Sequence, residues 1–274
     1  MSNKSVALLT IHGMGDTPKN YHKLFLERIK KQMGEKWKRV EFESIYYQDI
    51  LQFNQSEIFR KMKVLTRWDG LREFVLYNLS DAATMDFRRW EKNSLYHQSQ
   101  KRIWDTLKLI YKRYDEQKTP VVILAYSLGC HVLSNYIWDS QQKEASSGVW
   151  KHENIKKLDK NEKKFLQLKS MRKLITIGCN IPVFVSGYKD IKPFKKLNKN
   201  FQWINLYDKD DILGWPLKPL SEEYKDLVQD IDINANEKAT DILLKSWNPL
   251  SHESYFGDRQ VIKTVANALN EFIQ

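Results

Sequence analysis

The 274-residue sequence predicts an α/β fold, a mostly parallel central sheet with helices on both faces. Apolar runs of strand length recur along the chain, and segments with a helical repeat of apolar residues fall between them. One run, "VVILAYS" at 121–127, is almost continuously aliphatic at its start, as suits a central parallel strand buried on both faces. Strands that alternate with helices build βαβ units and therefore a parallel sheet.

"SVALLTI" at 5–11 reads as the first strand, and 19–33 as a helix with Leu24, Phe25 and Ile29 turned inward. "RVEFESIYY" at 39–47 is the second strand. Residues 51–96 interrupt the alternation with two further helix-like patterns, Ile58, Phe59, Met62 and Leu65, then Leu71, Phe74, Val75 and Leu79. No Pro/Gly/Ser-rich linker flanks them, so they read as a helical, cap-like insertion in a single domain over 1–274. The insertion also carries Arg60, Lys61, Lys63, Arg67, Arg72, Arg88 and Arg89, a basic side suited to anionic head groups. In 97–117, Ile103, Trp104, Leu107, Ile110, Tyr111 and Tyr114 share one helix face. "KLITIGC" at 173–179 and "FQWINLY" at 201–207 read as the last two strands. Val261, Ile262, Val265, Leu269 and Phe272 mark a final helix over 260–273.

The formal net charge of +11 suits an anionic contact such as a membrane surface. The densest basic stretch, 151–173, alternates lysines with Glu153, Asp159 and Glu162, the pattern of a solvated face. No zinc-finger spacing, RNA-binding signature or Arg-rich helix points to nucleic acid. Two cysteines, Cys130 and Cys179, make neither a disulfide framework nor a metal motif, and a reducing cytoplasm is expected. The start of the chain lacks the long apolar core of a signal peptide, and no run approaches membrane-span length.

The chemistry centres on "VVILAYSLGCHVLSNYIWD" at 121–139. A buried strand turns through Ala125-Tyr126-Ser127-Leu128-Gly129 into an amphipathic helix. The nucleophile elbow, G-x-S-x-G on a strand–turn–helix, needs small residues two before and two after the serine because backbone segments meet there. Alanine at 125 departs from glycine by one methyl. An ordinary helix-capping serine would not require Gly129.

On these residues the chain resembles the α/β-hydrolase superfamily, most nearly bacterial lipase- and esterase-like serine hydrolases with a His-Gly loop after the first central strand. "HGMGDT" at 12–17 then takes a role. It fails the dinucleotide fingerprint and the P-loop pattern. The resemblance makes it one arm of an oxyanion hole, with the backbone N–H groups of Met14 and Leu128 as donors. His12 is expected to brace that loop. Chain order in the superfamily is Ser, acid, His. The base is therefore expected at His252, in the proline-broken "SWNPLSHESYF" before the last helix. The acid is expected at Asp211 in "YDKDDILG", with Asp210 the alternative. Asp208 and the unused aspartate would cap the loop. Trp215, Leu217 and Leu220 lie beside the acid, where they could line an acyl pocket or pack in the core.

The expected function is cleavage of a carboxylic ester through a Ser-His-Asp triad and an acyl-enzyme, with no metal and no organic cofactor. The same triad serves thioesterases and acyltransferases, and a hydrolase fold also supports non-catalytic binding proteins. The expected partner is a small-molecule or lipid acyl substrate, with transient contact to an anionic membrane surface.

Overall fold

The structure is a computed structural model and describes residues 4–14, 17–50, 88–113, 119–235 and 254–273. Most of the expected insertion, 51–87, and the segment containing His252 lie outside the described residues.

Six strands among the described residues form one sheet in the order β2-β1-β3-β4-β5-β6, and every neighbouring pair is parallel. They are β1 (Val6–Ile11), β2 (Val40–Ile45), β3 (Val121–Tyr126), β4 (Met171–Ile177), β5 (Gln202–Tyr207) and β6 (Val228–Asp232). The helices used below are α1 (Lys23–Met33), α2 (Leu95–Arg113), α3 (Leu128–Ser140), α4 (Gly148–His152), α5 (Lys160–Leu166), α6 (Ile181–Val185), α7 (Glu222–Leu227) and α8 (Arg259–Asn270).

Period-two alternation divides the sheet residues between two cores. From β1 and β3, Leu9, Ile11, Ile123 and Ala125 join Ile103 and Leu107 of α2 and Leu133 and Ile137 of α3. Their neighbours Val6, Leu8, Val122 and Leu124 face the other way, against Phe25 and Ile29 of α1 and Val265 and Leu269 of α8. Every residue of β1 and β3 is buried, so the strands that hold the middle of the sheet have no polar face to slip onto.

The sequence pattern missed one strand and the short helices α4, α6 and α7. β6, "VQDID", pairs with β5 from Trp203/Val228 to Tyr207/Asp232, yet only Val228 of the five is buried. As the edge strand it carries the polar residues usual there. Boundaries also move: α1 begins at Lys23, α2 begins at Leu95, inside the span assigned to the insertion, and β4 runs Met171–Ile177. Residues 88–94, which precede α2, are turns and bends. No helix among the described residues is long and apolar enough to cross a membrane.

Candidate active site

The strand order sets where a site can form. β1 connects outward to β2 on one side, whereas β3 lies on its other side and the chain continues from there to β6. This reversal leaves a crevice at the carboxyl ends of β1 and β3, the usual ligand position in open parallel sheets. The two segments singled out by motif emerge there, His12–Met14 after β1 and Ser127 after β3.

Ser127 has φ 50° and ψ −122°, a region that non-glycine residues rarely occupy. Its own N–H donates to Ile177 O on β4 at 3.0 Å, and its carbonyl accepts from Cys130 N at 2.9 Å. The turn is thus tied to the neighbouring strand on one side and to the first turn of α3 on the other. Close approach explains the small residues. A Cβ on Gly129 would drive into the His12 carbonyl oxygen, and one on Gly13 would sit 2.7 Å from Ser127 Cβ. The β1 loop and the serine turn therefore touch through two glycines. This contact brings the segment carrying Met14 beside the start of α3, where Leu128 is the first helical residue. The first N–H groups of a helix have no intrahelical acceptor and carry the positive end of its dipole.

His12 is fully buried and locked. Its Nε2 accepts from Tyr47 N at 3.0 Å, so the ring proton lies on Nδ1, which donates to Gly13 O at 2.7 Å. Tyr47 stacks on the imidazole with centroids 4.1 Å apart and donates its hydroxyl to His12 O at 2.8 Å. Burial pushes the His12 pKa down to about 3, partly opposed by the bond to Gly13. The imidazole is a neutral brace whose acceptor nitrogen is already used. Sequence spacing carried no sign of Tyr47, which lies 35 residues away.

The acid candidates separate by environment. Asp211 is buried and Asp210 exposed. Asp211 Oδ1 accepts from Leu213 N at 2.9 Å, and Oδ2 accepts from the Tyr255 hydroxyl at 3.0 Å. A Cβ on Gly214 would collide with that same carboxylate. Asp208 holds the loop instead: its carboxylate accepts from Asp210 N at 2.9 Å and from Ala235 N at 2.8 Å. Tyr255, fully buried, also accepts from Asp208 N at 3.0 Å. Burial and the Asp211 carboxylate beside it hold its phenol well above the usual tyrosine range. It is a site residue that sequence reasoning passed over, and its only trace was its place three residues after His252.

His252 lies outside the described residues. The remaining histidines have other contacts. His131 stacks on Phe184 at 3.9 Å with its Nε2 beside Asn135 Nδ2, and His152 Nε2 lies 3.0 Å from Trp90 O. Cys130 and Cys179 are free and buried, and the Cys130 thiol donates to Ala125 O at 3.3 Å. Leu217 is buried and Leu220 packs against the same core, whereas Trp215 and Ile212 are exposed beside Asp211, at 45% and 62%. Among the described residues no His/Cys/Asp/Glu cluster has metal-site geometry.

A parallel sheet with a strained serine turn after β3, and a glycine loop from β1 packed on it, has the architecture of the α/β-hydrolase fold. No family model matches the chain, and no curated protein matches its sequence. Among solved structures, the chain is similar to a dienelactone hydrolase from Anabaena variabilis, with 11% identity, 98% of this chain and 85% of that one covered, and a TM-score of 0.42. A cutinase-like protein from Cryptococcus is 10% identical over 98% and 95% of the two chains, with a TM-score of 0.42. The structure of YahD with malic acid is 11% identical over 97% and 93%, with a TM-score of 0.43.

Proposed function

We propose that the chain is a serine hydrolase that cleaves a carboxylic ester, with Ser127 as nucleophile, His252 as base and Asp211 as the acid that orients it. The observation that carries this reading is the Ser127 backbone, held at φ 50° at the sheet's crevice by a packing that admits only glycine at 13 and 129. Strain of this kind persists where the surroundings over-determine it, and it costs about 1–3 kcal/mol. A serine that only capped α3 would need none of it; indeed its side chain makes no capping bond to that helix.

Asp211 supports the acid role by its burial and its two donors. A carboxylate accepts about four hydrogen bonds, so Leu213 and Tyr255 do not exhaust it.

In the proposed reaction His252 takes the Ser127 proton as the serine oxygen attacks the acyl carbonyl. The N–H groups of Met14 and Leu128 receive the developing oxyanion, each worth about 3–4 kcal/mol in the transition state. His252 returns the proton to the departing alcohol. Water activated by the same imidazole then hydrolyses the acyl-enzyme. Exposed Ile212 and Trp215 beside the acid offer an apolar lip to the acyl chain. The buried free thiols suit a reducing compartment, here proposed as the cytoplasm.

The test is a panel of nitrophenyl esters and matched thioesters of graded chain length. Ester turnover that falls to background in Ser127→Ala supports the reading. Equal turnover in the variant refutes it, and a preference for thioesters moves the substrate class while leaving the triad.

A further inference from the structure

Away from the crevice, the outer flank of the sheet carries an open cleft of about 660 Å³ along the seam between α1 and α8. Its walls present Arg28 and Lys31 from α1 and Arg259 and Lys263 from α8, with Gln32 beside them and Ile262 among the lining residues. No carboxylate lines it. Arg28 and Lys31 are three residues apart and Arg259 and Lys263 four, so each pair stands on one face of its helix, and helix packing turns the two faces together. Like charges at this spacing destabilise a helix by a few tenths of a kcal/mol per pair. On α2, by contrast, three cations are met by carboxylates: Lys101 by Asp105, Lys108 by Glu162, and Arg102 by Asp49 at 2.7 Å. None of the four cleft cations is in an ion pair among the described residues.

The cleft is also partly pre-set. Arg28 Nη1 donates to the Gly257 carbonyl, which fixes one edge of the guanidinium and leaves the rest of its donor fork for a ligand. Of the two acids adjacent in sequence to cleft cations, Asp258 is buried and spent on capping α8 through Gln260 N and Val261 N, and exposed Glu27 on α1 does not line the cleft.

We infer that this cleft is a binding site for a phosphate-bearing polyanion, either a free phosphorylated small molecule or a lipid head group. Its volume lies within the range of small-ligand pockets, and four cations without acids match several clustered negative charges. The inference does not rest on the hydrolase reading, because its readout is binding.

The test titrates the full chain with inorganic triphosphate, and separately with phosphatidylcholine vesicles containing phosphatidic acid. The comparison variants are Arg28→Gln/Lys31→Gln/Arg259→Gln/Lys263→Gln and a charge-matched control, Lys156→Gln/Lys157→Gln/Lys163→Gln/Lys164→Gln, on the exposed basic stretch. Affinity should fall on the order of 1,000-fold in the cleft variant, from about 1 kcal/mol for each of four cations near an anionic surface, and change less than about threefold in the control. Omitting Arg28→Gln keeps the bond to Gly257, and that triple variant should still lose most of the affinity. Triphosphate binding alone identifies a free ligand, and vesicle binding alone a head group. Equal losses in cleft and control variants overturn the inference. So does the absence of binding to both probes.

Discussion

Two turns end neighbouring parts of the same sheet edge, and they are held by different physics. The turn after β3 is held by shape. Ser127 keeps an unfavourable backbone because Gly13 and Gly129 let the His12 loop close on it, and their own missing side chains are the device. The loop after β5 is held by side-chain hydrogen bonds. Asp208 caps it, Asp211 turns inward, and Tyr255 ties both to the chain just before α8. Shape of the first kind is written in a few adjacent residues. Bonds of the second kind join positions 44 and 47 residues apart.

The sharpest way to break the comparison is at the acid. Asp211→Asn should lower ester turnover by about 10⁴-fold through the wrong imidazole tautomer, while Asp210→Asn stays near the parent. Steady-state kinetics on both variants checks this. A large loss in Asp210→Asn alone moves the acid by one residue.

The shape-held side has its own weakness in acid. His12 has a folded-state pKa of about 3 against 6.5 when unfolded, so the unfolded chain binds the extra proton between those values. Its contribution is complete above about pH 6.5 and is lost as pH falls towards 3, with a ceiling of several kcal/mol. Burial lowers His22 and His97 in the same direction, so the slope is shared. Urea unfolding across this window should show a steep loss that His12→Gln makes shallower. An unchanged slope in the variant would remove His12 from the brace.

Gly129→Ala should cost about 3 kcal/mol, at the upper end for overpacking, because the new methyl meets a backbone carbonyl that cannot rotate away. Thermal unfolding reads the loss. Ala125→Gly, by contrast, should keep activity, since the motif tolerates either small residue.

The smallest effect belongs to the hydrogen-bonded side. Tyr255→Phe removes one donor to Asp211 Oδ2 and one acceptor for Asp208 N, worth about 1–2 kcal/mol, or roughly tenfold in turnover. The pH–rate profile should shift with it, because Tyr255 acts through the acid. A stability loss with an unshifted profile would make Tyr255 structural only.

The same contrast governs what the sequence disclosed. β1, β3 and β4 were readable as apolar runs because strands in mid-sheet bury both faces, and edge β2 and part-buried β5 because their β-branched and aromatic residues mark a strand. β6 was not, since an edge strand with one buried residue in five looks like a loop. Ser127, Gly13 and Gly129 were legible because steric demand acts on near neighbours. The choice between Asp210 and Asp211 stayed open in the sequence, where the adjacent pair precedes Ile212 and Leu213; only Asp211 of the two is buried. Tyr47 and Tyr255 were invisible, since nothing local marks a tyrosine whose hydroxyl ends on a partner tens of residues away.

The nucleophile itself is tested most directly by covalent capture. A fluorophosphonate probe reacts with an activated serine hydroxyl and leaves a mass shift on one peptide. The adduct should map to Ser127 in the parent chain, disappear in Ser127→Ala, and form far more slowly in Asp211→Asn. An adduct on another residue, or labelling that survives Ser127→Ala, would contradict the assignment.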